Sequence, residues 1–234
     1  SMLIMKYISR FIIILFLVLS YPPVGNSYTM SNNDIQIDKP EETSNINIPE
    51  IQSKIADIVK KYSLNGNLLV AVKGKVIYKY SKGLSNFKTK DSININTVFQ
   101  LASVSKQFTA FAVLILVDEG KIKLSDYVVK YIPNFPYNNI TVKHLLTHTS
   151  GLPNYMGLVE KYWKNNTITN NDVLMLIKRY KPPLNYTPGN RFYYCNTNYC
   201  MLALLVEKVS KLSFPEFLDK KIFKTLKMEL VYRS

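Results

Sequence analysis

Ser103 and Lys106 stand three residues apart in the run Ser103-Val104-Ser105-Lys106, the spacing that sets two side chains on one face of a helical turn. A serine within reach of a lysine is a nucleophile beside a base. A lysine made neutral by desolvation takes the hydroxyl proton, and the serine oxygen attacks a carbonyl. A helix N-terminus at this point supplies partial positive charge and free backbone N–H groups, which favour the oxyanion formed on attack. The spacing alone is not selective, because Ser85-Asn86-Phe87-Lys88 repeats it in a loop rich in Lys, Asp and Asn. What sets Ser103 apart is the segment it opens. From Phe99 to Glu119, apolar Phe108, Phe111, Ala112, Leu114, Ile115 and Val117 occupy most faces of a helix, and a helix apolar nearly all round is buried.

The elements that must position this pair follow from periodicity. Gly120 stops the apolar helix, and further helical patches run from Thr141 to His148, Asn171 to Tyr180, Tyr199 to Lys211 and Phe214 to Lys224. Upstream, Ile51, Ile55, Ile58 and Val59 recur at helical spacing through Tyr62, and Asn65-Gly66 ends that helix. Two β-branched and aromatic runs, Leu68 to Val72 and Val76 to Tyr80, are split by Lys73-Gly74-Lys75 and predict a hairpin with a tight turn. Helix, hairpin, then a long helical stretch, with no internal repeat, is an α+β order in which the hairpin is an incomplete sheet.

The 234 residues allow one sizeable core or two interlocked lobes on a prior of roughly 100–200 residues per domain. A hydrophobic fraction of 47% with 8 glycines and 2 cysteines excludes disorder, collagen and a disulfide scaffold. The formal net charge of +14 suggests a polyanionic partner, but 26 of the 30 basic residues are lysine. The guanidinium fork that reads guanine or clamps phosphate is therefore scarce, and the charge reads as a solvated lysine surface rather than a nucleic-acid site.

At the N-terminus, Lys6 and Arg10 precede the apolar run Phe11 to Tyr21, which Pro22-Pro23 breaks. Residues 1–27 read as a secretory signal peptide, residues 28–48 as a polar linker and residues 49–234 as the folded domain. The apolar run is about half the roughly 20 residues a spanning helix needs, so membrane contact is expected only through this leader. Export places Cys195 and Cys200 in an oxidising compartment. Entry into a helix at Tyr199 separates their Cα atoms beyond the roughly 7 Å limit for a bridge, and free thiols are expected.

Longer blocks carry a resemblance. Phe99-Gln100-Leu101-Ala102-Ser103-Val104-Ser105-Lys106-Gln107-Phe108-Thr109, with Asp118-Glu119-Gly120-Lys121-Ile122-Lys123-Leu124-Ser125-Asp126, closely resembles the serine β-lactamase-related family of class C β-lactamases, D-alanyl-D-alanine carboxypeptidases and esterases. Leu145-Leu146-Thr147-His148-Thr149-Ser150-Gly151-Leu152-Pro153 is similar to the family's loop after the third helix. Pro188-Gly189 before Phe192-Tyr193-Tyr194-Cys195-Asn196-Thr197-Asn198-Tyr199, and Gly66-Asn67 before the first strand, agree in order.

The resemblance implies a β-lactamase/penicillin-binding-protein-like fold, with a helical lobe and an antiparallel sheet begun by the hairpin. It implies that Ser103 is the acylated nucleophile, Lys106 the amine that helps deprotonate it, Tyr194 the tyrosine base and Asn196 the amide that orients substrate and lysine. A similar tyrosine motif, Tyr137-Asn138-Asn139, lacks the Pro-Gly-x-x-Phe approach that singles out Tyr194. The implied substrate is a small molecule or a peptidoglycan peptide whose peptide, β-lactam or ester carbonyl is hydrolysed, and the implied place of action is periplasmic or secreted.

No cofactor or metal is expected: His144 and His148 lie at i and i+4, but no Glu stands between them in metalloprotease register. Trp163, Tyr155 and Tyr193 read as surface or core packing, and Ser150-Gly151 as a turn. The family's third motif, Lys-Thr-Gly or His-x-Gly, lies on a strand opposite the nucleophile and supplies a second oxyanion N–H. No glycine follows Gly189 here. The expectation is therefore a chain missing its C-terminal strands, either the front part of a serine hydrolase or a catalytically inactive remnant that binds ligand at the cell envelope.

Overall fold

The computed structural model describes residues 46–165 and 167–228. The leader and nearly all of the polar segment lie outside these residues. The described chain forms two compact units that divide between Thr97 and Val98.

In the first unit, helix α1 (Ile48–Lys61) begins where the Asn47 side chain accepts the Glu50 N–H at 3.2 Å, with Pro49 in the first turn and Lys60 and Lys61 in the last. The helix thus takes in Ile48, the last residue of the expected linker, because the Asn47 cap precedes it. Val59 is buried and Ile51 and Ile55 half-buried, whereas Ile58 faces solvent. The Gln52 amide donates to the Ile77 carbonyl at 2.6 Å and ties the helix to the hairpin.

That hairpin pairs β1 (Gly66–Val72) with β2 (Lys75–Lys82) antiparallel, from Gly66 opposite Lys82 to Val72 opposite Lys75. Its two-residue turn is Lys73-Gly74, with φ of 50° and 78°, the positive pair that a twist-matched hairpin turn requires. The segment expected to be a plain loop contains a second small pair, β3 (Leu84–Asn86) and β4 (Asp91–Ser92). The Asn65 side chain holds β3 in place: it accepts the Leu84 N–H at 2.7 Å and donates to the Leu84 carbonyl at 3.1 Å.

The second unit is helical. A 3-10 turn, Ala102–Ser105, leads into α2 (Lys106–Asp118), so the regular helix starts several residues later than Phe99. Next come α3 (Val142–Leu146), α4 (Tyr155–Tyr162), α5 (Asn170–Tyr180), α6 (Asn196–Ser210) and α7 (Phe214–Leu218), the last running into a wide turn at Asp219–Phe223. Helix α4 was not anticipated.

Helix α6 is the hub. Helices α2, α3, α5 and α7 all pack on it, and Met201, Leu202, Leu204, Leu205 and Val206 are at most 1% exposed. Burial of each such side chain contributes about 1.5–3 kcal/mol. The buried side of α2 is Thr109, Ala112, Val113, Ile115 and Leu116; Leu114 is exposed, so the helix is less enclosed than its all-round apolar sequence predicts. Among the described residues no helix is long and apolar enough to cross a membrane.

Candidate active site

The expected reactive residues converge in the second unit. Ser103 sits in the 3-10 turn and Lys106 is the first residue of α2, so one turn of chain sets the pair, and the Lys106 Nζ donates to the Ser103 Oγ at 3.0 Å. Ala102, immediately before the serine, has φ of 46°, a left-handed conformation that costs an alanine roughly 1–2 kcal/mol. It bends the chain into the turn that presents Ser103 to solvent.

Tyr194 reaches the same oxygen from 91 residues away, its hydroxyl donating to the Ser103 Oγ at 2.8 Å. The Lys106 Nζ also lies 5.1 Å from the centre of the Tyr194 ring and 5.8 Å from that of Tyr199. Burial pushes the Tyr194 phenol up, but hydrogen bonding to Lys106 and to Ser103, with the lysine charge, outweighs it and holds the phenol below its ordinary value. Burial, with the nearby Tyr194, pushes the Tyr199 phenol the other way. Tyr199 donates instead to the Leu146 carbonyl at 3.1 Å. Two phenols close to one lysine are thus driven apart, the pattern that separates a working acid–base group from a structural one.

Asn196 opens α6, two residues beyond Tyr194, with its side chain half-buried. Among the described residues no hydrogen bond joins its amide to Ser103, Lys106 or Tyr194. Cys195 and Cys200 are free thiols, the first buried and the second half-buried. Burial pushes the Cys200 thiol up to about 11, which keeps it from acting as a competing nucleophile near neutral pH.

The repeated motifs behave differently. Ser85 lies on β3 and donates to the Asp91 carbonyl at 3.2 Å, remote in sequence from any apolar helix. Tyr137 donates to the Pro182 carbonyl, and burial pushes its phenol up to about 12.

Sequence reasoning missed the residue beneath Tyr194. His148, 8% exposed, packs its ring on Tyr194 (centroids 4.6 Å apart) and Tyr199 (5.0 Å), with Phe192 edge-on at 5.9 Å. Its Nδ1 accepts the Cys195 N–H at 3.1 Å and lies 3.2 Å from the Asn198 amide nitrogen. That acceptor role leaves the proton of the neutral ring on Nε2. Behind it, fully buried Asn198 accepts the Ser150 hydroxyl at 2.5 Å, and the Ser150 oxygen accepts the Leu152 N–H at 3.1 Å. Ser150 is thus a buried hydrogen-bonding partner as well as a turn residue.

Gly151 has φ of 76°, and a Cβ there would stand 2.1 Å from the Tyr186 carbonyl oxygen, so the loop closes only with glycine. His144 completes a capping box with Thr141, accepting its N–H on Nδ1 at 3.2 Å. Tyr155 packs against the core, Tyr193 is exposed, and the Trp163 indole donates to the Thr167 carbonyl at 2.8 Å.

A serine at the head of an apolar helix, a lysine one turn on and a tyrosine brought to the same oxygen are the arrangement that the resemblance to penicillin-binding proteins and β-lactamases implies. Residues 51–232 match the Beta-lactamase family, and the chain belongs to it. It is 34% identical over 174 residues to penicillin-binding protein 4* of Bacillus subtilis (strain 168), covering 74% of this chain and 39% of that protein. It is 32% identical over 180 residues to protein flp of Staphylococcus aureus (strain MW2), covering 74% of this chain and 35% of that one. The crystal structure of a penicillin binding protein from Bacillus halodurans superposes with a TM-score of 0.65 at 31% identity, over 75% of this chain and 54% of the other. The chain therefore spans well under half the length of the two curated relatives, and its likeness to them concerns that part.

Proposed function

We propose that the chain carries the nucleophile-bearing part of an exported serine hydrolase that forms an acyl-enzyme at Ser103 on a peptide, β-lactam or ester carbonyl. The observation that carries this reading is the convergence of the Lys106 amine and the Tyr194 hydroxyl on one serine oxygen, at 3.0 and 2.8 Å.

In the resting arrangement both groups donate to that oxygen, so acylation begins with a proton shift. Tyr194 yields its proton to solvent, and the positive charge of Lys106 beside it stabilises the phenolate left behind. The phenolate then removes the Ser103 proton as the Oγ–carbonyl bond forms. Tyr194 returns that proton to the leaving nitrogen or oxygen as the scissile bond breaks. In deacylation the phenolate left by that transfer takes a proton from water as the hydroxide adds to the acyl carbon, and returns it to Ser103 Oγ as the acyl–oxygen bond breaks. Asn196, at the head of α6 beside this pair in sequence, is assigned the orientation of substrate and lysine by likeness to the family.

Small carbonyl substrates of cell-envelope type suit the exposed Ser103, and the basic, apolar leader read in residues 1–27 supports export. The name of the Bacillus subtilis relative favours penicillin as the first probe.

The test is covalent labelling of the full chain by a fluorescent penicillin and a fluorophosphonate ester. Wild type is expected to label, Ser103→Ala to lose all label, and Tyr194→Phe to label about 10²- to 10⁴-fold more slowly, the range for loss of a positioned general base. Folded protein that labels equally with and without Ser103 refutes the acyl-enzyme. A second reading, a ligand-binding protein without turnover, is favoured by the Asn196 amide, which among the described residues makes no hydrogen bond to Ser103, Lys106 or Tyr194. It predicts reversible penicillin binding with no covalent adduct.

A further inference from the structure

His148 grips the chain on both sides of Tyr194. Its carbonyl accepts the Tyr193 N–H at 2.9 Å, its Nδ1 accepts the Cys195 N–H at 3.1 Å, and its ring lies against the Tyr194 ring itself. A tyrosine whose flanking amides are both fixed to one residue has little freedom to rotate its phenol away from Ser103. His148 is in turn held by its own backbone: φ is 56°, its N–H donates to the Leu145 carbonyl at 3.3 Å, and its carbonyl also receives the Tyr186 hydroxyl at 3.4 Å. The buried Asn198 amide braces the imidazole from the first turn of α6, and Ser150 orients that amide.

We infer that His148 is a positioning residue for the acylation reaction: its backbone and imidazole clamp the Tyr193-Tyr194-Cys195 segment so that the Tyr194 hydroxyl meets Ser103 Oγ. The inference rests on the proposed role of Tyr194 as proton carrier. It assigns no proton transfer to the imidazole, whose Nδ1 is occupied by the Cys195 N–H. The clamp is built from main-chain bonds and a well-placed acceptor, so an asparagine suits the position. Its Oδ1 replaces Nδ1, and asparagine tolerates left-handed backbone. Phenylalanine keeps a ring but loses the acceptor, leaving the Cys195 N–H without its partner. Glutamine keeps an acceptor but carries it one carbon too far.

The experiment reads two signals on the full chain. The first is the rate of Ser103 acylation by the fluorescent penicillin and the fluorophosphonate. The second, independent of turnover, is the titration of the Tyr194 phenol followed by NMR with tyrosine labelled at the ring carbon that bears oxygen, with Tyr194→Phe assigning its signal among the 17 tyrosines. In wild type the phenol titrates below its ordinary value. In His148→Phe the signal is expected to move up to that of an unpartnered phenol, with acylation slowed about 100-fold, the scale of a 1 Å misplacement. His148→Asn is expected to keep the wild-type titration and acylate within about 10-fold of wild type, a small loss beside that misplacement scale. Should His148→Phe fail to fold, His148→Gln replaces it with the same expected losses.

Unchanged Tyr194 titration in the folded Phe or Gln variant overturns the clamp, as does an Asn variant that loses as much as they do. The two readings fail separately. If Tyr194→Phe acylates at the wild-type rate, the proton-carrier role is wrong, while the titration still judges the clamp.

Discussion

Ser150 offers the sharpest energetic test of how the reactive loop is held. It is 1% exposed and joins two groups that water does not reach: its hydroxyl donates to Oδ1 of fully buried Asn198 at 2.5 Å, and its oxygen accepts the Leu152 N–H at 3.1 Å. Ser150→Ala removes one small polar group and strands two buried ones. Each unsatisfied buried group costs about 1–3 kcal/mol, so the expected loss for the two is about 2–6 kcal/mol, a large share of a typical stability of about 5–15 kcal/mol. With a urea slope near 2 kcal/mol per molar, a loss of about 3 kcal/mol lowers the unfolding midpoint by about 1.5 M. Asn198→Leu, similar in size, strands the serine hydroxyl instead. The double variant removes both ends of the shared bond at once, so its loss should fall short of the sum of the single losses by about 1–2 kcal/mol. Urea unfolding of the four proteins measures this directly. A Ser150→Ala loss under about 0.5 kcal/mol, or strict additivity of the pair, refutes the argument that these hydrogen bonds hold the loop.

Three further outcomes are expected. Burial, and then the Lys106 charge, holds the His148 imidazole below its ordinary 6.5, so unfolded chains take up its proton before folded ones do. Stability should therefore fall as pH drops from 6.5 towards the lower folded value. His148→Asn should flatten that slope without abolishing it, since His144 is lowered by burial and by Lys143; urea midpoints across this pH range provide the check. Lys211 ends α6 with φ of 63°, so Lys211→Gly should stabilise by about 0.5–1 kcal/mol, read as a rise in thermal midpoint. Thr169 caps α5 by accepting the Asp172 N–H at 3.2 Å, while Asp172 returns a bond to the Thr169 N–H at 2.9 Å; Thr169→Ala should cost about 1 kcal/mol in the same assay.

What the sequence made legible was whatever depends on local spacing. Ser103 and Lys106 are one turn apart by arithmetic, the Lys73-Gly74 turn announces the hairpin, and the apolar periods of α1 and α5 stand out between their caps. The start of α6 was read three residues late because its cap is Cys195, which makes no side-chain capping bond and so leaves no start signal. Strands β3 and β4 were hidden for a similar reason. Leu84-Ser85-Asn86 and Asp91-Ser92 lack β-branched residues, and the Asn65 side chain, distant in sequence, holds the first of them. The part played by His148 could not be read from spacing at all. Its partners are Cys195 and Asn198, 47 and 50 residues away, and only the packing of the loop after α3 against the head of α6 brings them together. A histidine beside a serine-glycine turn signals a special loop, but not what the loop holds.

The mix of near and far contacts at Ser103 also bears on how a refolded preparation is judged. The lysine contact closes over three residues, whereas the tyrosine contact closes over 91. The clamp from Cys195 back to His148 spans 47, about half that distance, and closing it first reduces the entropy demanded of a single search by about 0.6 kcal/mol. A molecule in which that step had failed while the helices stayed packed would keep its serine–lysine pair with the phenol astray. Circular dichroism counts such molecules as native, while a covalent probe passes over them. The ratio of labelled to helical protein therefore measures how far the long-range half of the active site has assembled.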